Sequence, residues 1–264
     1  METITSADGT TVTFHRTGHG LPLVLVHGTG RDQSSWVPCL AELAQHTTVY
    51  AVDRRGRGSS GDTEGYALER EVEDLHSVIA AIDEPMFLLG HSYGAIVALE
   101  AALRVESLRG LILYEPPLNV GQDRVPTDLA DRLDALMASG DREAVLVTFL
   151  QEGPRYSPDV IAAQRARPDW PRRLAYAHTL SREVQAVNRY TFVPKHFTKL
   201  HVPCLILLGS DSPPLFQHAT KALDMALPRS EVVIFEGQHH NAMVTAPSLF
   251  AATVHDFLHH NDDR

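Results

Sequence analysis

The chain has 264 residues, 44% of them hydrophobic, and a formal net charge of -10. That is enough apolar material for one full core, and the acidic balance argues against a general nucleic-acid binder. No apolar run approaches the roughly 20 residues that span a bilayer, and Met1-Glu2-Thr3-Ile4-Thr5 lacks the basic and apolar regions of a secretory signal, so a cytoplasmic globular protein is expected.

In chain order, residues 3–6 and 11–16 read as a hairpin around Asp8-Gly9. A buried strand follows at 22–26, then the loop His27-Gly28-Thr29-Gly30 and a helical pattern over 36–44. The strand 47–52 leads into Asp53-Arg54-Arg55-Gly56-Arg57-Gly58-Ser59-Ser60. That glycine-rich stretch has no Gly-Lys-Ser/Thr ending and fails the dinucleotide spacing, so it reads as a structural loop. Helix 68–82, strand 86–89, helix 93–103 and strand 110–114 come next. Strand 204–208, helix 215–227, strand 231–235 and helix 246–259 complete the alternation.

Continuous apolar strands alternating with helices predict an α/β fold: a mostly parallel eight-stranded sheet with helices on both faces. The alternation stops over 119–201, where helical patterns at 127–139, 142–151, 158–165 and 170–189 carry many arginines. This stretch is read as a helical lid inserted into a core domain of residues 1–118 and 202–264. Most of its arginines are expected on a solvated face, with one or two turned to the pocket to attract an anionic group. Cys39 and Cys204 sit in apolar contexts and read as buried, unpaired thiols. The 15 histidines are scattered, with no His-Glu-x-x-His and no close Cys/His cluster, so no metal site and no cofactor are expected.

The chemistry is expected around Gly90-His91-Ser92-Tyr93-Gly94, between the apolar run 86–89 and an apolar helix. A strand, a Gly-x-Ser-x-Gly turn and a helix are the signature of a nucleophile elbow. Glycines two residues either side allow the close approach of neighbouring backbone that the sharp turn demands. The serine hydroxyl then sits at a helix start, where free N–H groups favour a developing oxyanion. A serine needs a base, an acid to orient the base, and oxyanion donors. After an elbow the chain order is nucleophile, acid, base. The base is sought in Gly237-Gln238-His239-His240-Asn241, where His240 is favoured and His239 is the alternative. The acid is sought in Gly209-Ser210-Asp211, with Asp211 favoured; Glu115, ending strand 110–114, is the alternative. Oxyanion donors are expected from the Tyr93 N–H and the Thr29 N–H, with Gly28 less favoured. His27 reads as a structural hydrogen-bonding residue.

With these motifs in this order, the chain resembles the α/β-hydrolase superfamily, in its serine esterase and lipase-like branch. The resemblance rests on His27-Gly28-Thr29-Gly30, Asp53-Arg54-Arg55-Gly56-Arg57-Gly58-Ser59, Gly90-His91-Ser92-Tyr93-Gly94, Gly209-Ser210-Asp211 and Gly237-Gln238-His239-His240. It spans nearly the whole chain. His239 departs from the small residue usual before the family's histidine, and the turn at Asp211 is one residue short.

The resemblance implies a serine hydrolase cleaving a small carboxylic ester through an acyl-enzyme. Relatives that open epoxides or remove halide carry aspartate at the elbow, and Ser92 points instead to acyl transfer. The arginines of 119–201 suggest a carboxylate-bearing half-ester as the substrate. Lactones, thioesters and carbon–carbon bonds remain alternatives on the same triad. A small-molecule receptor or a cofactor-free perhydrolase or oxygenase are alternatives of another class. The partner expected is a small-molecule ester, with no nucleic acid and no membrane.

Overall fold

The computed structural model describes residues 1–262. Eight strands form one sheet in the order β1-β2-β4-β3-β5-β6-β7-β8. They are β1 (Glu2–Thr5), β2 (Thr11–Gly18), β3 (Leu21–Val26), β4 (Thr47–Asp53), β5 (Met86–His91), β6 (Leu108–Tyr114), β7 (Cys204–Gly209) and β8 (Ser230–Phe235). The pairings of β1 with β2 and of β2 with β4 are antiparallel; every other neighbouring pair is parallel. The β1–β2 turn forms as its Asp-Gly pair dictates: Gly9 has φ +87°, and the Thr10 N–H donates to Asp8 Oδ1 at 2.9 Å.

The helices of the core are α1 (Val37–Leu43), α2 (Leu68–Ile82) and α3 (Tyr93–Ala102). Between β6 and β7 lie α4 (Leu129–Ala138), α5 (Arg142–Glu152), α6 (Pro158–Arg165), α7 (Trp170–Ala175), α8 (Leu180–Arg189) and α9 (Pro194–Phe197). After β7 come α10 (Pro214–Ala226), α11 (Ala242–Thr245) and α12 (Pro247–Asn261). No described helix is long and apolar enough to cross a membrane.

Both faces of the sheet are covered. Val24 and Val26 belong to the core shared with α2, α3 and α10, while Leu23 and Leu25 belong to the core shared with α1 and α12. This period of two explains the unbroken apolar runs, because a strand buried on both faces has no polar side. Cys39 and Cys204 are free and belong to cores on opposite faces. On α2, Leu75, Val78, Ile79 and Ile82 recur at helical spacing and are buried. Each contributes about 1.5–3 kcal/mol by leaving water. The helix ends where Asp83 turns left-handed, at φ 51°.

Two elements differ from expectation. The apolar sequence of β8 suits a buried strand, but β8 is the sheet's edge, and Val232 and Ile234 are exposed. The stretch 170–189 is not one helix. Thr179 Oγ1 donates to the Tyr176 carbonyl at 2.6 Å, and a short 3-10 turn, Ala177–Thr179, separates α7 from α8.

Candidate active site

Register sets the site. Gly90 pairs with Leu113 and His91 with Tyr114, so Ser92 and Glu115 leave neighbouring strands at the same level. The Ser92 N–H donates to the Tyr114 carbonyl at 2.8 Å. Ser92 itself is held at φ 56°, ψ −125°, strained for a residue with a side chain. The flanking glycines are sterically required. A Cβ on Gly90 would lie 2.4 Å from the Gly94 carbonyl oxygen, and one on Gly94 would lie 2.4 Å from the carbonyl oxygens of Val26 and His27.

The imidazole beside this turn belongs to His240. Its Nδ1–H donates to Glu115 Oε2 at 2.5 Å, and the other carboxylate oxygen accepts the Gly209 N–H at 2.7 Å. Glu115 is fully buried and sits at a left-handed φ of 47°. The His240 ring stacks on Phe216, with centroids 4.2 Å apart, and its carbonyl accepts from His91 Nε2 at 2.8 Å. Tyr114 holds the same loop: its hydroxyl donates to the His239 carbonyl and accepts the Ala242 N–H at 2.9 Å. Burial lowers the His240 imidazole well below its usual value and raises the Glu115 carboxyl to about 7. The resting imidazole is therefore neutral, with Nε2 free to accept a proton. Ser92 and His240 line one cavity. No hydrogen bond joins their side chains among the described residues, and such contacts often tighten only around substrate.

Asp211 does not fill the place predicted for it. Its carboxylate is exposed and accepts from Ser210 Oγ at 3.0 Å. Its backbone is committed as well: the N–H donates to the Gln238 carbonyl, and the carbonyl accepts from His239 Nδ1 at 2.8 Å. The reason is positional. Asp211 lies beyond β7, one strand further from Ser92 than β6, whose end delivers Glu115. His239, the alternative base, has its ring on the Asp211 carbonyl and not on a carboxylate.

Of the three expected oxyanion donors, Thr29 lines the cavity. Its N–H has no backbone acceptor among the described residues. Tyr93 opens α3, where first-turn N–H groups have no intrahelical partner. Gly28 abuts Ser92, and a Cβ there would lie 2.8 Å from that of Ser92. His27 is structural: Nδ1 donates to the Gly28 carbonyl at 2.9 Å and Nε2 accepts the Arg54 N–H at 3.2 Å. Burial and the nearby Arg54 keep it neutral.

The loop after β4 braces this wall. Arg55 forms a bidentate pair with Asp74 of α2, at 2.7 and 2.8 Å. Arg54 does the same with Glu71, and also reaches Glu183 of α8 at 2.6 Å, where Arg57 Nη2 joins at 2.5 Å. The Arg54 guanidinium lies 4.7 Å from the centroid of the Tyr93 ring.

The cavity holds a void of about 50 Å³. At roughly 10–15 Å³ per water, that is room for a few small groups. Its apolar wall includes Val125, Phe149, Leu150 and Val187 from between β6 and β7. Sequence reasoning missed Arg31, Tyr156, Phe216 and Asn241, which also line it, and saw Arg173 only as one of many arginines. Arg31 two residues beyond Thr29 and Asn241 next to His240 were the available signals.

The profile of the Alpha/beta hydrolase family matches residues 23–253. An alpha/beta hydrolase from Sphaerobacter thermophilus DSM 20745 has the same fold, with TM-score 0.83 and 36% identity over 94% of this chain and 99% of that one. The esterase RhEst1 from Rhodococcus sp. ECU1013 superposes with TM-score 0.79 and 26% identity, covering 98% of each chain. A protein of Escherichia coli O81 (strain ED1a), named "Putative carbamate hydrolase RutD", is 29% identical over 255 residues, 91% of this chain and 93% of that one. The eight-stranded sheet, the elbow and this match across most of the length place the chain in the alpha/beta hydrolase family.

Proposed function

We propose that the protein is a serine hydrolase of small carboxylic esters, acting through Ser92, His240 and Glu115. The supporting observation is the buried Glu115–His240 hydrogen bond in the cavity lined by Ser92. His240 Nε2 takes the Ser92 proton as the oxygen attacks the ester carbonyl. The N–H groups of Thr29 and Tyr93 hold the oxyanion, each worth about 3 kcal/mol in the transition state. Collapse expels the alcohol, which receives the proton from His240, and leaves an acyl-enzyme. Water, deprotonated by His240, then releases the acid and restores the serine. Glu115 keeps the proton of the resting imidazole on Nδ1 and stabilises the imidazolium that forms. In this reading residues 119–201 act as a lid over the core formed by 1–118 and 202–264.

A carbamate offers the same carbonyl chemistry, and the name of the E. coli relative makes it the second substrate class to try. The test is labelling with a fluorophosphonate, followed by turnover of p-nitrophenyl acetate. Covalent capture at Ser92, with turnover reduced at least about 10³-fold in Ser92→Ala, is expected. Full turnover in Ser92→Ala would end this reading.

A further inference from the structure

The Ser92 cavity contains more positive charge than its surroundings neutralise. Arg31 follows the oxyanion loop, and Arg173 comes from α7; both line the cavity, and they are only 9% and 4% exposed. Arg31 Nη1 lies 3.9 Å from Asp169, and Nη2 makes a long 3.3 Å bond to Asn241 Oδ1. Asp169 is already the acceptor of Arg167 Nε, at 3.1 Å. Arg173 donates Nη1 to the neutral Gln164, and its Nε is buried with no acceptor. The other nearby carboxylates are engaged. Asp32 accepts the Tyr176 hydroxyl and lies 3.6 Å from Arg172, Glu115 binds His240, and Glu183 binds Arg54 and Arg57. Arg31 therefore shares Asp169 with Arg167, and Arg173 has no carboxylate within 4 Å among the described residues.

We propose that Arg31 and Arg173 form an anion-recognition subsite in the Ser92 cavity, and that the natural substrate is a small acyl compound bearing a carboxylate. The inference rests on the hydrolytic reading of Ser92 and adds the substrate class. Burying a cation without a matched anion is unfavourable, and burial holds both guanidiniums below their usual values, Arg173 at about 9. A planar carboxylate matches the donor fork of a guanidinium and would use the orphan Nε of Arg173. Two arginines approaching from the core and from the segment between β6 and β7 would grip one end of the substrate while the carbonyl faces Ser92. Apolar walls strengthen such pairing by excluding water. A purely structural Arg173, braced on Gln164 and the Trp170 ring, would leave that donor buried for nothing.

The test compares monoethyl succinate with ethyl levulinate, in which a methyl ketone replaces the carboxylate. For the wild-type protein, kcat/KM is expected to be at least about tenfold higher for the half-ester. Arg173→Met should remove that preference, mainly by raising KM for the half-ester. A second arm needs no turnover: succinate should raise the melting temperature of wild type and of Ser92→Ala more than succinamide does, and Arg173→Met should equalise them. Equal or better hydrolysis of the neutral ester by wild type overturns the proposal. So does a succinate shift no larger than that of succinamide. Turnover surviving in Ser92→Ala, with the succinate shift intact, would instead strike the nucleophile and leave the anion subsite standing.

Discussion

Two residues with side chains are held in left-handed backbone conformations at adjacent strand ends, Ser92 at φ 56° and Glu115 at φ 47°. Each costs on the order of 1–3 kcal/mol, and such strain persists where surrounding structure fixes it. Here the fixing contacts are the Ser92 N–H bond to Tyr114 and the Gly209 N–H bond to Glu115. That turn at Glu115 aims the carboxylate at His240, and it is what sequence reading could not resolve. Both Glu115 and Asp211 follow apolar strands whose ends face the same rim, and nothing in residue type alone says which backbone turns inward. Ser92 was legible because its glycines are a steric necessity; Arg31 was not, because a lone arginine after a loop has no pattern. The pair also predicts a pH dependence. With His240 neutral and Glu115 ionised, it holds one buried negative charge, which burial resists by raising Glu115 to about 7. In the proposed mechanism, proton uptake by the pair removes the carboxylate that stabilises the imidazolium. The kcat/KM for p-nitrophenyl acetate is therefore expected to fall as pH drops through about 7 and to level off above it. A profile flat down to about pH 5.5 would contradict this assignment.

Among elements, the segment between β6 and β7 is tied to the core by buried charge. Glu183 of α8 is fully buried and accepts from both Arg54 and Arg57, while Arg54 also holds Glu71 of α2. Glu183→Gln would leave Arg57 without a carboxylate. Removing one partner of a buried pair costs about 3–5 kcal/mol. At roughly 2–4 °C per kcal/mol for a chain of this size, melting should fall by about 6 °C or more in calorimetry. A shift below about 1 °C would show that the network carries little stability. The sequence marks 53–60 as structural by what it lacks, but its partners Glu71, Asp74 and Glu183 lie on helices whose pairing only the fold reveals. The eight strands were legible from unbroken apolar runs. The edge position of β8 was not, because Val-Val-Ile-Phe reads alike in the middle of a sheet and at its rim.

At the scale of the molecule, parallel strand order converts distance in sequence into proximity. Residues 92, 115 and 240 arrive from three separate strand ends, at the carboxyl side of the sheet where open α/β folds bind ligands. In the proposed mechanism the chain order of serine, acid and histidine is kept, with the acid supplied after β6 and not after β7. In that reading Asp211, after β7, has no catalytic duty, and Glu115 acts at the point where the chain departs into 119–201. The direct test compares Glu115→Gln and Asp211→Asn in parallel, with p-nitrophenyl acetate as substrate and melting temperature as a folding control. Glu115→Gln is expected to lower kcat by about 10²–10⁴-fold, and Asp211→Asn to leave it within about threefold. The reverse pattern, with Asp211→Asn inactive and Glu115→Gln near wild type, would contradict the account.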